Sequence, residues 1–265
     1  MATVSIQNKF LGSLIGAYIG HSYHEKWSKS WPSVSNSNLY QSWLDNEHQF
    51  PLSELTSSNS DLILTLPWLL YHYDDRRTRQ QQLAQIIELT HDANKANIAD
   101  MAAALYIMGD CLEWLMQLSH TIQYPLPLLR QHLRQQQPIH SKVLHSKREQ
   151  FIQELATQSL MSDFGSVVPD KTLPMLMVAI KQCLSYRENL ALALTSPQSV
   201  TPPIPTLIGC LLGAWAGPSV IPAQWMLAFN HVSKQALSDM AQKLYRRWAG
   251  ITTTMSNGEV FPLEL

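Results

Sequence analysis

Three glycines spaced four apart, twice over, constrain this chain more than any other feature. One ladder is Phe10-Leu-Gly-Ser-Leu-Ile-Gly-Ala-Tyr-Ile-Gly20, with glycines at 12, 16 and 20. The other is Gly209-Cys-Leu-Leu-Gly-Ala-Trp-Ala-Gly217, with glycines at 209, 213 and 217. Positions i, i+4 and i+8 share one face of a helix, so each segment predicts a helix with one face bare of side chains. An interior glycine costs a helix about 1 kcal/mol relative to alanine. Three in register need an offsetting contact, and the contact that favours glycine is close approach of another backbone. The two ladders hold six of the chain's 10 glycines. They are read as partners, packed glycine face to glycine face at the centre of the molecule.

The rest of the composition agrees with helices. The chain has 265 residues, 45% of them hydrophobic, enough for one large core. Leu, Ala and Gln are abundant and alternating Val/Ile/Thr runs are nearly absent. Fifteen prolines tend to sit where segments begin. An all-α, single-domain fold over 1–265 is expected. Net charge is −1 and the isoelectric point about 6.8, so no extended basic face and no nucleic-acid partner is expected. No apolar run reaches the length of a membrane span and no signal peptide is visible, so no membrane association is expected. Cys111, Cys183 and Cys210 lie in apolar helical contexts and read as buried, reduced thiols of a cytoplasmic protein.

Taken in order, helical patterns are expected over 8–20, 40–45, from Pro67 to about 73, over 78–89, and over 96–118 with Ile98, Met101, Ala102, Leu105, Met108 and Leu112 inward. Further ones are expected from Tyr124-Pro-Leu-Pro127, over 151–159, 172–185, 187–195, 205–217 and 222–247. Asp74-Asp-Arg-Arg-Thr-Arg79 reads as a solvated loop or helix start. The polar stretch 131–150 reads as an exposed or mobile excursion. Trp27 and Trp31, in a polar segment, read as a contact surface.

This order of pieces resembles the ADP-ribosylglycohydrolase family. Leu11 to Gly20 matches a first helix of the form LGxxxGxxxGD up to its last position. Ser58-Asn59-Ser-Asp-Leu-Ile-Leu-Thr-Leu-Pro67-Trp-Leu-Leu-Tyr71 resembles the Gly-Asn-Gly-Ser-x-Met-Arg-x-x-Pro segment. Thr90-His91 stands before the alanine-rich helix, and Thr172-Leu-Pro174 before the last core helices. Gly209 to Gly217 followed by Ile221-Pro-Ala-Gln-Trp225 matches the GxxxGAxxG and Ile-Pro-x-x-Trp ending. The resemblance implies an all-α hydrolase that holds two Mg²⁺ ions with Thr-Asp-Asp-Thr and Asp-Thr-Asp-Thr motifs.

The departures fall on those ligands. Mg²⁺ is a hard ion that takes oxygen donors. Counted back from Gly209, the C-terminal ligand positions hold Val200, Pro202 and Pro203. No Thr-Asp-Asp-Thr occurs anywhere in the chain; Asp45-Asn46-Glu47 is the lone acidic cluster between the first helix and Asn59. Gly-Asp at the end of the first helix has become Gly20-His21, and the expected glutamate, arginine and phosphate-cradling glycines fall on Ser28, Leu64, and Ser58 and Ser60. No metal cofactor is therefore expected.

Other residues offer weaker chemistry. His21, His24 and Glu25 stand at the end of the first helix, and a transition-metal site there would need a third and fourth ligand, with His91 or His48 as donors. A pair hydrogen-bonding around a helix end is the plainer reading, as is a capping role for His91. Ser58, Asn59 and Ser60 suit a phosphate at a helix start, and equally an ordinary N-cap. The expected function is that of a glycohydrolase-fold protein without Mg²⁺-dependent hydrolysis, a binding or regulatory pseudoenzyme for a nucleotide-like ligand or a protein partner. The alternatives are a divergent ADP-ribosyl hydrolase using His21, His24, Glu25 and His91, and a structural subunit of a larger assembly.

Overall fold

The structure is a computed structural model of the chain, and it describes residues 4–26, 61–89, 95–118, 122, 124–136, 141–157, 171–187, 189–195, 203–228 and 231–251. Among these residues there are twelve α-helices and no strand. They are α1 (Ile6–Lys26), α2 (Asp61–Leu64), α3 (Leu66–Tyr71), α4 (Arg76–Leu89), α5 (Lys95–Gln117), α6 (Pro125–Gln135), α7 (Lys142–Thr157), α8 (Thr172–Ser185), α9 (Leu190–Thr195), α10 (Ile204–Ala216), α11 (Ala223–Ala228) and α12 (His231–Trp248). A 3-10 turn, Gly217–Val220, follows α10. The expected piece at 40–45, with Trp27 and Trp31, lies outside the described residues.

Local chemistry sets where helices begin. Ser5, Asp75, Ser141 and Asn189 each accept a hydrogen bond from the backbone N–H three residues on, which gives α1, α4, α7 and α9 their N-caps. Prolines start α3, α6 and α10, where their missing N–H is not needed. After α10 the backbone passes through Gly217 at φ 66, a left-handed conformation that glycine adopts at little cost.

Among the described residues, the contact between α1 and α10 is the most extensive. The helices run antiparallel with their glycines interleaved. A Cβ built on Gly16 would lie 2.2 Å from the carbonyl oxygen of Gly209, and one on Gly213 would lie 2.0 Å from that of Gly12. One on Gly20 would lie 2.1 Å from the carbonyl oxygen of Pro205. No side chain fits between them. The remaining faces of the pair are greasy: Phe10, Leu14, Ile15, Leu207, Leu211 and Trp215 are all buried. One continuous cluster of buried apolar residues runs from α1 through α3, α5, α8 and α10 to α12.

Two polar ties hold this core to its neighbours. Lys9 is buried, and its ammonium donates to the carbonyls of Leu115, Met116 and Leu118 at 2.8 to 3.0 Å, satisfying the C-terminal end of α5. Burial lowers the Lys9 pKa to about 8. Phe10, Tyr73 and Trp248 pack ring to ring at 5.4 to 6.2 Å, joining α1, the end of α3 and α12.

The structure adds detail to two expectations. Much of 131–150 is helical: it supplies the end of α6 and the first half of α7, with Leu133, Leu144 and Arg148 buried. Leu144, Phe151, Ile152 and Leu155 recur at helical spacing and hold α7 down beneath a polar exterior. The charged run at 74–79 does start a helix, as expected, but it is not simply solvated, because Arg79 is fully buried. The three cysteines are free and buried, as the apolar contexts suggested.

The glycine contact makes a prediction of opposite sign to helix propensity. Propensity alone favours Gly213→Ala by about 1 kcal/mol. A methyl group in the place of the Gly12 backbone should instead destabilise, by about 1–3 kcal/mol or more, since the backbone it meets can move only by separating the helices. Urea unfolding of Gly213→Ala and Gly16→Ala checks the sign.

Candidate functional site

The glycine register brings the two ends named by the sequence together. Gly20 meets Pro205 and the Cα of Thr206, so the C-terminal end of α1 adjoins the first turn of α10. His21 follows Gly20 directly, and Pro203 precedes α10 as its cap residue. His21, where the resemblance expects the first helix to end in aspartate, and Pro203, one of the C-terminal ligand positions, therefore belong to the same end of the helix pair; Val200, Pro202 and the interval expected to hold the N-terminal aspartate pair lie outside the described residues. This is the candidate site.

The walls of that end are aromatic and apolar. Tyr23, one turn beyond Gly20 on α1, lies 6.1 Å ring to ring from Trp225, which is buried on α11. Burial raises the Tyr23 pKa, so its hydroxyl stays protonated at neutral pH. Pro203 is buried, and Ile204, Pro205 and Thr206 are buried with it. His21 is half-buried on α1. His24 and Glu25 belong to the last turn of α1, but their side chains lie outside the described residues. Ser58, Asn59, Ser60, His91, Val200 and Pro202 lie outside them altogether.

These residues do not fit a pair of Mg²⁺ ions. The Pro203 side chain has no donor atom, and the carbonyl of Pro205 is turned against Gly20. An imidazole such as His21 suits borderline metals, whereas Mg²⁺ demands oxygen. Among the described residues no group of three or more His, Cys, Asp or Glu is placed to hold a metal ion.

The electrostatic centre of the described chain lies elsewhere, on α4 and α5. Arg79 and Asp110 are both fully buried, with Arg79 NH2 2.8 Å from Asp110 Oδ1. Arg79 NH1 donates to the carbonyls of His72 and Tyr73, which end α3. Arg76 Nε lies 2.8 Å from Glu113 Oε2 and 3.4 Å from Asp110 Oδ1. Gly109 makes room, since a Cβ there would lie 2.5 Å from Arg79 Nε. Burial pushes the Asp110 and Glu113 carboxyls up, against the pull of Arg79 and Arg76. Asp110 through Oδ1 and Glu113 through Oε2 are engaged by guanidinium groups, while Asp110 Oδ2 is buried without a hydrogen-bond partner. The cluster escaped sequence reasoning. Its signal was Asp110 and Glu113, three apart inside an otherwise apolar helix, which need buried partners.

Removing one member of such a pair leaves the other charge buried and uncompensated. Asp110→Asn should cost about 3–5 kcal/mol of stability, read by chemical denaturation. A loss below about 1 kcal/mol, the range of exposed pairs, would contradict this geometry.

A further void of about 10 Å³ lies between α5, α8 and α10, lined by Cys111, Trp114, Ile180, Cys183 and Leu211 among others. It is apolar and the size of a single water, too small for a substrate. No helix of the described residues is long and apolar enough to cross a membrane.

The comparisons with known proteins agree with the architecture. Neither a curated protein nor a solved structure matches the chain. The model of the ADP-ribosylglycohydrolase family matches residues 21–252, beginning one residue after the last glycine of the first ladder. That span covers most of the chain, carries the second ladder and takes in both sides of the candidate site. On that match and its all-α fold, the chain belongs to the ADP-ribosylglycohydrolase family.

Proposed function

We propose that this protein has kept the scaffold of the family and lost its Mg²⁺-dependent hydrolysis, and that it acts by binding, as a regulatory pseudoenzyme for a nucleotide-like ligand or a protein partner. The observation that carries this reading is the register of Gly20 against Pro205. It ties the numbering of α10 to that of α1. Pro203, and by sequence Pro202 and Val200, then fall where the Thr and the two Asp ligands of the C-terminal motif are expected, and His21 falls where the first helix should end in aspartate. Without a carboxylate on either side among the described residues, a metal has no means of polarising a ribose hydroxyl or activating water at this end of the helix pair. The Tyr23–Trp225 pair keeps an aromatic wall there, of the kind that suits a flat ring better than an ion. Three buried thiols fit a cytoplasmic setting.

The test is hydrolysis and binding measured side by side. Incubation with Mg²⁺ and an ADP-ribosylated protein is expected to release no ADP-ribose above the blank; Mg²⁺-dependent release would overturn the proposal. Calorimetric titration with ADP-ribose is expected to give the same affinity with Mg²⁺ and with EDTA if the ligand is nucleotide-like. No heat under either condition would shift the reading to a protein partner. Release that needs no Mg²⁺ and disappears in His21→Ala would instead point to a rearranged hydrolase.

A further inference from the structure

We infer that Arg76, His132 and the backbone of Asp110 form an acid-sensitive clasp, through which protonation of His132 releases α6 from α4 and α5. His132 is half-buried on α6. Its Nε2 lies 2.9 Å from Gln136 Nε2 and 3.4 Å from Arg76 NH2. A guanidinium nitrogen can only donate, so Nε2 must accept, and the ring proton belongs on Nδ1. The ring also hydrogen-bonds to the Asp110 backbone, and with Nδ1–H as donor the acceptor is the Asp110 carbonyl. Both nitrogens are thus committed in the neutral form.

A second proton would have to go on Nε2, directly against the Arg76 donor. Arg76 is not free to withdraw, because its Nε is held by Glu113 at 2.8 Å and Asp110 at 3.4 Å. Behind Asp110 stand the buried Arg79 of α4 and Arg148 of α7, both acting on its carboxylate. Burial first, and then the Arg76 charge, lower the His132 pKa from 6.5 to about 4. The element that can yield is α6, which is short, with Pro125, Leu129 and Leu133 as its buried residues.

The direction follows from linkage. Once α6 is released, His132 regains an ordinary pKa near 6.5, so between pH 6.5 and about 4 the released form holds the extra proton. Acidification through that window favours release by up to about tenfold per pH unit. Asp110 and Glu113 act in the opposite sense: burial raises their pKa, so they take up protons more readily in the packed cluster than outside it. Replacing His132 by a side chain that accepts from Arg76 without titrating isolates its share.

Hydrogen exchange of the full chain, wild type and His132→Gln, tests this. The α6 opening constant of the wild type relative to the variant should rise by up to about tenfold per pH unit between pH 6.5 and 4, while α10 amides keep their protection. The same pH dependence in both proteins, or loss of α6 and α10 together, would overturn the clasp. A histidine NMR titration of the folded wild type stands independently of the variant. A His132 midpoint near 4 is expected, and one near 6.5 would overturn the inference.

Discussion

The structure depends on two backbones lying against each other without side chains between them. Between α1 and α10 the carbonyls of Gly12, Gly16, Gly209 and Pro205 occupy the volume that Cβ atoms would need. Such a contact is hard to vary, because no other residue type fits, and it is exact in register. A slip of one residue along either helix would set a side chain against a backbone. The pair therefore fixes where the C-terminal end of α1 and the first turn of α10 stand, whatever residues those ends carry. A scaffold held in this way can lose the chemistry at its rim and still fold.

The second tie is ionic and differs in kind. Arg79 crosses from the start of α4 to Asp110 on α5 and closes the carbonyl end of α3 on the way. Lys9 does the same for the carbonyl end of α5. Both use a buried cation to satisfy helix carbonyls that would otherwise be desolvated and unpaired. The charged side chains that one expects to find around a metal are here used to join helices, and none of the described ones gathers at the candidate site. The His132 clasp grows from the same cluster, at its half-exposed edge.

Much of this was legible in the sequence, and the reasons differ by residue. Six glycines in two ladders have a single economical reading, and the interleaving of Gly16 with Gly209 follows it. Prolines such as Pro67 and Pro205 mark helix starts because the first turn spares their missing N–H. Arg79 was not legible, since a run of mixed charge ordinarily faces water and its partner lies 31 residues away. The start of α7 was hidden because Lys142, His145, Lys147 and Arg148 surround Leu144, and the inward spacing shows only when Phe151 and Leu155 are counted with it. At the site, the identities of Pro203 and His21 were plain from the chain. That they lie at the same end of the helix pair could come only from the register of Gly20 against Pro205.

The most direct test is to look for a metal at that meeting point. A crystal grown or soaked with Mn²⁺, which takes Mg²⁺ sites and scatters anomalously, should show no anomalous peak at the junction of Gly20–His21 with Pro203–Pro205. An ordered Mn²⁺ bound there by residues of this chain would contradict the loss of the metal site on which the proposed function rests.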